Sequence, residues 1–163
     1  MPGTGTQPAT IGALLDRENV HLGVDAADKA DLIEMLVGSL VTAEGSDLEQ
    51  ALTAVLARES ELSTGVGDGV ALPHAKTTAV SETQVLFATT RNPIDFESFD
   101  GEPVSLVFLM VGPPSSSTHH IRILGRVSRI LNDENTRNEL LGASTPEQVI
   151  RVFEAAEARL GVI

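Results

Sequence analysis

Residues 57–76 read ARESELSTGVGDGVALPHAK and gather most of the side chains that could do chemistry. His74 stands directly behind Pro73, whose ring fixes the local backbone and helps aim one imidazole nitrogen. Imidazole titrates near pH ~6.5, so a neutral ring offers a nucleophilic nitrogen at neutral pH without special activation. Arg58, upstream, carries a planar fork of donors suited to a phosphoryl group. Between them Gly65, Gly67 and Gly69 alternate with Val66 and Asp68. A glycine-rich backbone can approach a phosphoryl group closely and aim N–H donors at it. Ser63 and Thr64 could add hydroxyls. Four readings are open at this point: a phosphate cradle, a metal site, a reactive histidine, or a tight loop whose glycines supply positive φ.

Each side chain also has an ordinary explanation. A lone histidine is more often structural or solvated, and an arginine in the last turn of a helix simply suits the helix dipole. Asp68, inside the glycine run, argues against a permanently bound anion there. The pattern GxGxG lacks the spacing of a dinucleotide fingerprint and follows a helix rather than a strand, and no GK[ST] completes a nucleotide P-loop. His119 and His120 open a further helix, where they read as a polar first turn with Thr118 as N-cap. A metal site would need HExxH-like spacing or acidic partners, and neither is present, so no metal is expected. No serine has the partners of a hydrolase triad. The chain has no cysteine, which excludes disulfides, thiolate metal sites and cysteine nucleophiles.

These residues need a scaffold, and the hydrophobic pattern describes one. IGALL at 11–15 reads as a short first element and VHLGV at 20–24 as a brief strand. Apolar residues at 32, 33, 36, 37, 40 and 41 give a helix over 27–45 with Gly45 as its stop. Ser46 with Glu49 predicts a capping box opening a second helix, with Leu48, Leu52, Val55 and Leu56 on its apolar face and Arg58 in its last turn. The glycine stretch follows as a loop, with a short strand at 70–72. QVLFATT at 84–90 and VSLVFLMV at 104–111 suit buried strands, separated by turn signals at 91–103. A loop at 113–118 leads to an amphipathic helix from His119, continuing helically through ENTRNELLGA to a break at Gly142. The last helix has Thr145 as N-cap, Pro146 at its first position, Gln148 completing a capping box and Gly161 as C-cap. Helices and buried strands interleave, so the expected fold is α/β: a single domain with a central mixed β-sheet flanked by helices.

Composition narrows the function. At 163 residues the chain can bury a full core without staples. Residues 1–10 read as a flexible leader and 11–163 as the one domain. The leader lacks the basic and apolar regions of a signal peptide. No apolar run approaches the roughly 20 residues of a membrane span, so a soluble, cytoplasmic protein without membrane insertion is expected. A formal charge of −12, with five phenylalanines and no tyrosine or tryptophan, argues against nucleic-acid binding. Of the eleven basic residues only Lys29 and Lys76 are lysines. Acidic, lysine-poor composition suits a salty cytoplasm, though a GC-rich genome would give the same arginine bias.

Taken together, these residues resemble the type-2 IIA proteins of fructose- and mannitol-class sugar phosphotransferase systems. The resemblance rests on RES…STGVGDGVALPHAK at 58–76, DFESFDGEPVSLVFLMVGPP at 95–114 and HIRILGRVSRILND at 120–133, in that order, and covers nearly the whole chain from residue 11. It implies that His74 accepts a phosphoryl group from phospho-HPr, at the ε nitrogen (tele-phosphohistidine), and donates it to a IIB component, with the membrane IIC involved only indirectly. It further implies that His120 is the second active-site histidine and that Arg58 neutralises charge during transfer. Ser63, Thr64, Gly65, Gly67 and Gly69 would shape the phosphate loop and supply backbone donors. No metal, nucleotide or other cofactor is implied. Phosphoryl transfer needs positioning and charge compensation more than covalent help, which suits this set. His119 matches no functional position of the family and is read as structural. The acidic balance implies partners with less negative docking faces. PHAKTTAV favours the fructose type over the nitrogen-regulatory branch, which more often has glycine after PH.

Overall fold

The computed structural model describes residues 10–40 and 46–161, with the backbone alone for Ser46. A short helix α1 (Ile11–Leu14) is capped by the Thr10 side chain, and a 3-10 turn then leads into strand β1 (Val20–Val24). Helices α2 (Lys29–Leu40) and α3 (Ser46–Glu61) follow. The expected Gly45 stop and the Ser46 cap lie outside the described residues. Next come β2 (Gly65–Gly67), β3 (Val70–Ala71), β4 (His74–Lys76), β5 (Gln84–Ile94) and β6 (Val104–Gly112). Three helices complete the chain: α4 (Ser117–Leu131), α5 (Glu134–Leu141) and α6 (Pro146–Leu160).

The six strands form one mixed sheet in the order β1-β5-β6-β3-β2, with β4 also paired to β6. β5 and β6 are antiparallel, Phe87 opposite Phe108, and β1 lies parallel to β5. The far edge of β6 carries two short parallel partners in turn, β3 beside Leu106–Val107 and then β4 beside Met110–Gly112.

Side chains alternate across the sheet, so the apolar run of β6 feeds two cores. Val107, Leu109 and Val111 join the α2–α3 layer, while Leu106, Phe108 and Met110 join α1, α4, α5 and α6. This is the expected α/β domain. Among the described residues no helix is long and apolar enough to cross a membrane.

Four local expectations change. The glycine stretch is not a featureless loop: β2 and β3 form an antiparallel hairpin, with positive φ at Gly67, Asp68 and Gly69 but not at Gly65. β5 runs past Thr90 to Ile94, and its register shifts there, which lets Pro93 sit where no ladder bond is needed. Ser116, not Thr118, caps α4, because the 3-10 turn Pro114–Ser116 feeds directly into the helix and leaves Thr118 inside its first turn. Asp133 accepts from the Thr136 N–H and starts α5 as a separate helix. The signals of α6 hold throughout, from the Thr145–Gln148 capping box to Gly161 in the left-handed conformation.

Candidate active site

The fork in the far edge of β6 sets the first histidine. After β3 the chain passes through Leu72 and Pro73 without laddering, although the Pro73 carbonyl still accepts from the Met110 N–H at 3.1 Å. Pairing then resumes with His74 beside Met110. The His74 ring is half-buried, and its Nδ1 lies 2.7 Å from the Leu72 carbonyl oxygen. A carbonyl can only accept, so Nδ1 carries the proton and the neutral ring keeps its lone pair on Nε2. Burial lowers the pKa of His74, and the positive charges of Arg58 and Lys76 act in the same direction. The Leu72 carbonyl and the Glu59 carboxylate oppose them. The result is a neutral imidazole at neutral pH with one nitrogen pinned and the other free.

The second histidine comes from α4. His120, Ile123, Val127 and Ile130 share the buried stripe of that helix, at the spacing of one helical face. His120 is only 2% exposed. Its ring centre lies 5.5 Å from that of His74, the planes inclined at 60°. Burial, then the neighbouring His74, Lys76 and His119, push its pKa down to about 4. Among the described residues neither of its ring nitrogens has a hydrogen-bond partner.

Gly112 makes room for this ring. A Cβ there would stand 3.5 Å from His120 Nδ1 and 3.0 Å from the Thr83 hydroxyl, which is also buried and unpartnered. Lys76 pairs with Gly112 across the sheet and, two residues from His74, lies on the same face.

Arg58 and Glu59 arrive from the end of α3. Arg58 Nη1 donates to the Leu62 carbonyl at 2.7 Å, closing the helix end. Glu59 is buried and accepts from the Thr64 N–H at 2.9 Å, from the Thr64 hydroxyl, and from Lys29 Nζ at 3.1 Å. Lys29 also donates to the Phe96 carbonyl, pairs with Glu97 and lies over the Phe96 ring.

The polar groups of the hairpin entry are engaged internally: Ser63 Oγ donates to the Phe96 carbonyl and accepts from the Gly65 N–H. Gly65 abuts Ser98 and Phe96, Gly67 abuts Phe99 and Asp100, and Gly69 lies near the Pro103 carbonyl. The stretch is therefore tied to the 95–103 segment, and the amides of Thr64 and Gly65 are already bonded.

His74 and His120 are thus brought together, with Arg58 and Lys76 close enough to act electrostatically on the His74 ring. Burial lowers the pKa of His119, and the positive charges of Arg122 and Arg126 act in the same direction. Sequence reasoning passed over Glu59, Lys76 and Thr83. Only Lys76 carried a usable signal, since the period of a strand puts residues 74 and 76 on one face. Among the described residues no group of three His, Asp or Glu side chains could hold a metal. A cleft of about 770 Å³ is lined by Lys29, Glu59, Leu62 and Phe99 among others, and neither His74 nor His120 lines it.

The sequence matches the family described as "Phosphoenolpyruvate-dependent sugar phosphotransferase system, EIIA 2" over residues 13–156. A PTS system fructose-specific EIIA component of Haloferax volcanii is 39% identical over 140 residues, covering 85% of this chain and 91% of that protein. A nitrogen regulatory protein of Bradyrhizobium diazoefficiens is 33% identical over 143 residues, 88% of this chain and 94% of its own. The PTS system fructose-specific EIIABC component of Bacillus subtilis is 34% identical over 88% of this chain, which spans only 23% of that longer protein. The crystal structure of nitrogen regulatory protein IIA-Ntr from Neisseria meningitidis superposes with a TM-score of 0.81 at 29% identity, covering 88% of this chain and 98% of the other. The fold is shared with enzyme IIAMTL of Escherichia coli, solved in complex with phosphorylated enzyme IIBMTL, at a TM-score of 0.74 and 24% identity over 86% of this chain and 97% of that one. A family match over most of the chain, relatives of this identity and an α/β domain of the same fold agree: the chain belongs to the type-2 EIIA family of the phosphoenolpyruvate-dependent sugar phosphotransferase system.

Proposed function

We propose that this protein is the cytoplasmic IIA phosphocarrier of a fructose phosphotransferase system, accepting a phosphoryl group on His74 from phospho-HPr and passing it to a IIB component. The observation that carries the reading is the bond from His74 Nδ1 to the Leu72 carbonyl, which leaves a neutral ring with its lone pair on Nε2. That nitrogen attacks phosphorus; a new P–N bond forms as the donor's P–N bond breaks. The proton stays on Nδ1, hydrogen-bonded to the Leu72 carbonyl, whose oxygen offsets the positive charge the ring gains. His120 donates from its neutral ring to a phosphoryl oxygen, and Arg58 and Lys76 offset the phosphoryl charge. The Ser63–Gly69 stretch (Ser63, Thr64, Gly65, Gly67, Gly69) acts as the rigid wall that fixes the entry of β4.

The histidines' place outside the 770 Å³ cleft suits a phosphoryl group delivered on another protein better than an enclosed small substrate. Ala75 after His74 and the 39% identity to a free-standing fructose EIIA support the fructose type. The test is labelling from phospho-HPr, with His74→Ala, His120→Ala and Arg58→Ala alongside, followed by addition of IIB domains. Expected is one acid-labile phosphoryl group, absent from His74→Ala and transferable to a fructose-type IIB. Labelling without transfer to any sugar IIB would instead assign the protein to the nitrogen-regulatory branch, and no labelling would overturn the phosphocarrier reading.

A further inference from the structure

Two buried polar groups at the histidine pair lack partners among the described residues, and they flank one point of the backbone. Thr83 Oγ1 and His120 Nδ1 lie 3.0 Å and 3.5 Å from where a Gly112 side chain would start. The sheet explains the placement. Gln84 pairs with Val111, so the next pair outward puts Thr83 opposite Gly112, with its side chain on the α4 face. The first turn of α4 lowers His120 onto that same face. A buried hydroxyl and a buried ring nitrogen left unbonded each carry a desolvation cost, and a bond between them removes both.

We infer that Thr83 is the positioning residue for His120, its hydroxyl turning to donate to His120 Nδ1, to which it is not bonded in this structure, or reaching it across one water. The direction follows from the phosphocarrier reading, on which this inference rests. A His120 whose Nδ1 donated to Thr83 would present a lone pair on Nε2 to a phosphoryl oxygen, and two acceptors repel. With Thr83 donating, Nδ1 is the acceptor and Nε2 carries the proton that the phosphoryl group needs. The arrangement complements His74, whose ring is held by a backbone carbonyl in the opposite tautomer, Nδ1 protonated and Nε2 free. Gly112 is part of the device, because a methyl group there would crowd the Thr83 hydroxyl and stand against the ring.

The test is ¹⁵N NMR of the histidine rings in the unphosphorylated full chain at neutral pH, in the wild type, Thr83→Val and Thr83→Ser. Valine keeps the shape of threonine and removes only the hydroxyl. In the wild type, His120 should show a protonated Nε2, a hydrogen-bonded acceptor at Nδ1, and a slowly exchanging Thr83 hydroxyl proton in contact with the ring. Thr83→Val should shift the Nδ1 resonance and mix the tautomers, and Thr83→Ser should restore the wild-type pattern. Phosphoryl transfer should fall about tenfold in Thr83→Val, as for one lost hydrogen bond, and recover in Thr83→Ser. A protonated Nδ1 in the wild type, or unchanged His120 resonances in Thr83→Val, would overturn the inference, and the wild-type spectrum decides even if the valine variant does not fold. The ring spectra need no phosphoryl group, so a chain that shows them yet is never labelled refutes the phosphocarrier reading and leaves the Thr83–His120 bond standing.

Discussion

Replacing His120 by glutamine should make the protein less sensitive to acid. The folded ring resists protonation until about pH 4, because burial and the neighbouring basic groups disfavour the cation. In the unfolded chain the same side chain titrates near pH ~6.5. Between those values the unfolded state binds a proton that the folded state refuses, so stability falls as the pH is lowered through this window and is regained as it rises. Each tenfold excess of unfolded-state protonation costs about 1.4 kcal/mol, which gives roughly 2 kcal/mol lost between pH 7 and pH 5. For a domain of this size that corresponds to about 4–8 °C in Tm. The assay is urea unfolding of wild type and His120→Gln at pH 7, 6 and 5, followed by circular dichroism. Carboxylates and the other histidines titrate in both proteins and largely cancel in the difference. Whatever the glutamine costs at pH 7, that cost should shrink by roughly 2 kcal/mol at pH 5. A difference that stays constant with pH would show that His120 is not held neutral by its surroundings, and the reasoning would fail.

Glu59→Gln leaves Lys29 partly buried with only the exposed Glu97 as counter-charge, so it should destabilise the fold by about 2–3 kcal/mol in denaturant titrations. Because the Glu59 carboxylate raises the pKa of His74, the same variant should lower that pKa further, read by NMR titration. Gly65→Ala drives a methyl group to 2.2 Å from Ser98 Oγ and 3.2 Å from Phe96 Cβ, and a loss of about 1–3 kcal/mol is expected in the same assay. Glu157→Ala removes the buried carboxylate that accepts from the Ile11 and Gly12 N–H groups at 2.7 and 3.0 Å and lies 3.9 Å from Arg126. It should cost about 3 kcal/mol and open α1 to proteolysis, seen as cleavage near residue 11.

Elements whose signals are local could be read from the residues themselves. Thr145, Pro146, Gln148 and Gly161 mark both ends of α6 within a turn of the helix. The run 104–111 is apolar at nearly every position because both of its faces are covered, and that shows in sequence. The β2–β3 hairpin did not show, since glycine has little strand preference and its place is set by Phe96, Ser98 and Phe99 some thirty residues away. Asn92 and Pro93 look like a turn, and only the shifted register of β5 reveals why the strand continues through them. In the site, His74 and Arg58 stood out by residue type and position. The closeness of His74 to His120 depends on β4, β6 and α4 meeting, which no local spacing encodes. Glu59 and Thr83 carry no sequence signal, and only their burial sets them apart.

The far edge of β6, shared first by β3 and then by β4, has a consequence for the order in which the molecule can be made. His74 leaves the ribosome well before residues 104–112, yet β4 has no partner strand until β6 exists, and the ring's neighbour at 120 is later still. Every contact that tunes His74 across β6 and α4 is therefore non-local, and such pairings form late because the intervening chain must first be ordered. A nascent chain ending before β6 would leave β4 without its partner strand and His74 without the ring of His120. Acceptance of a phosphoryl group would then report that synthesis and folding of the sheet have been completed.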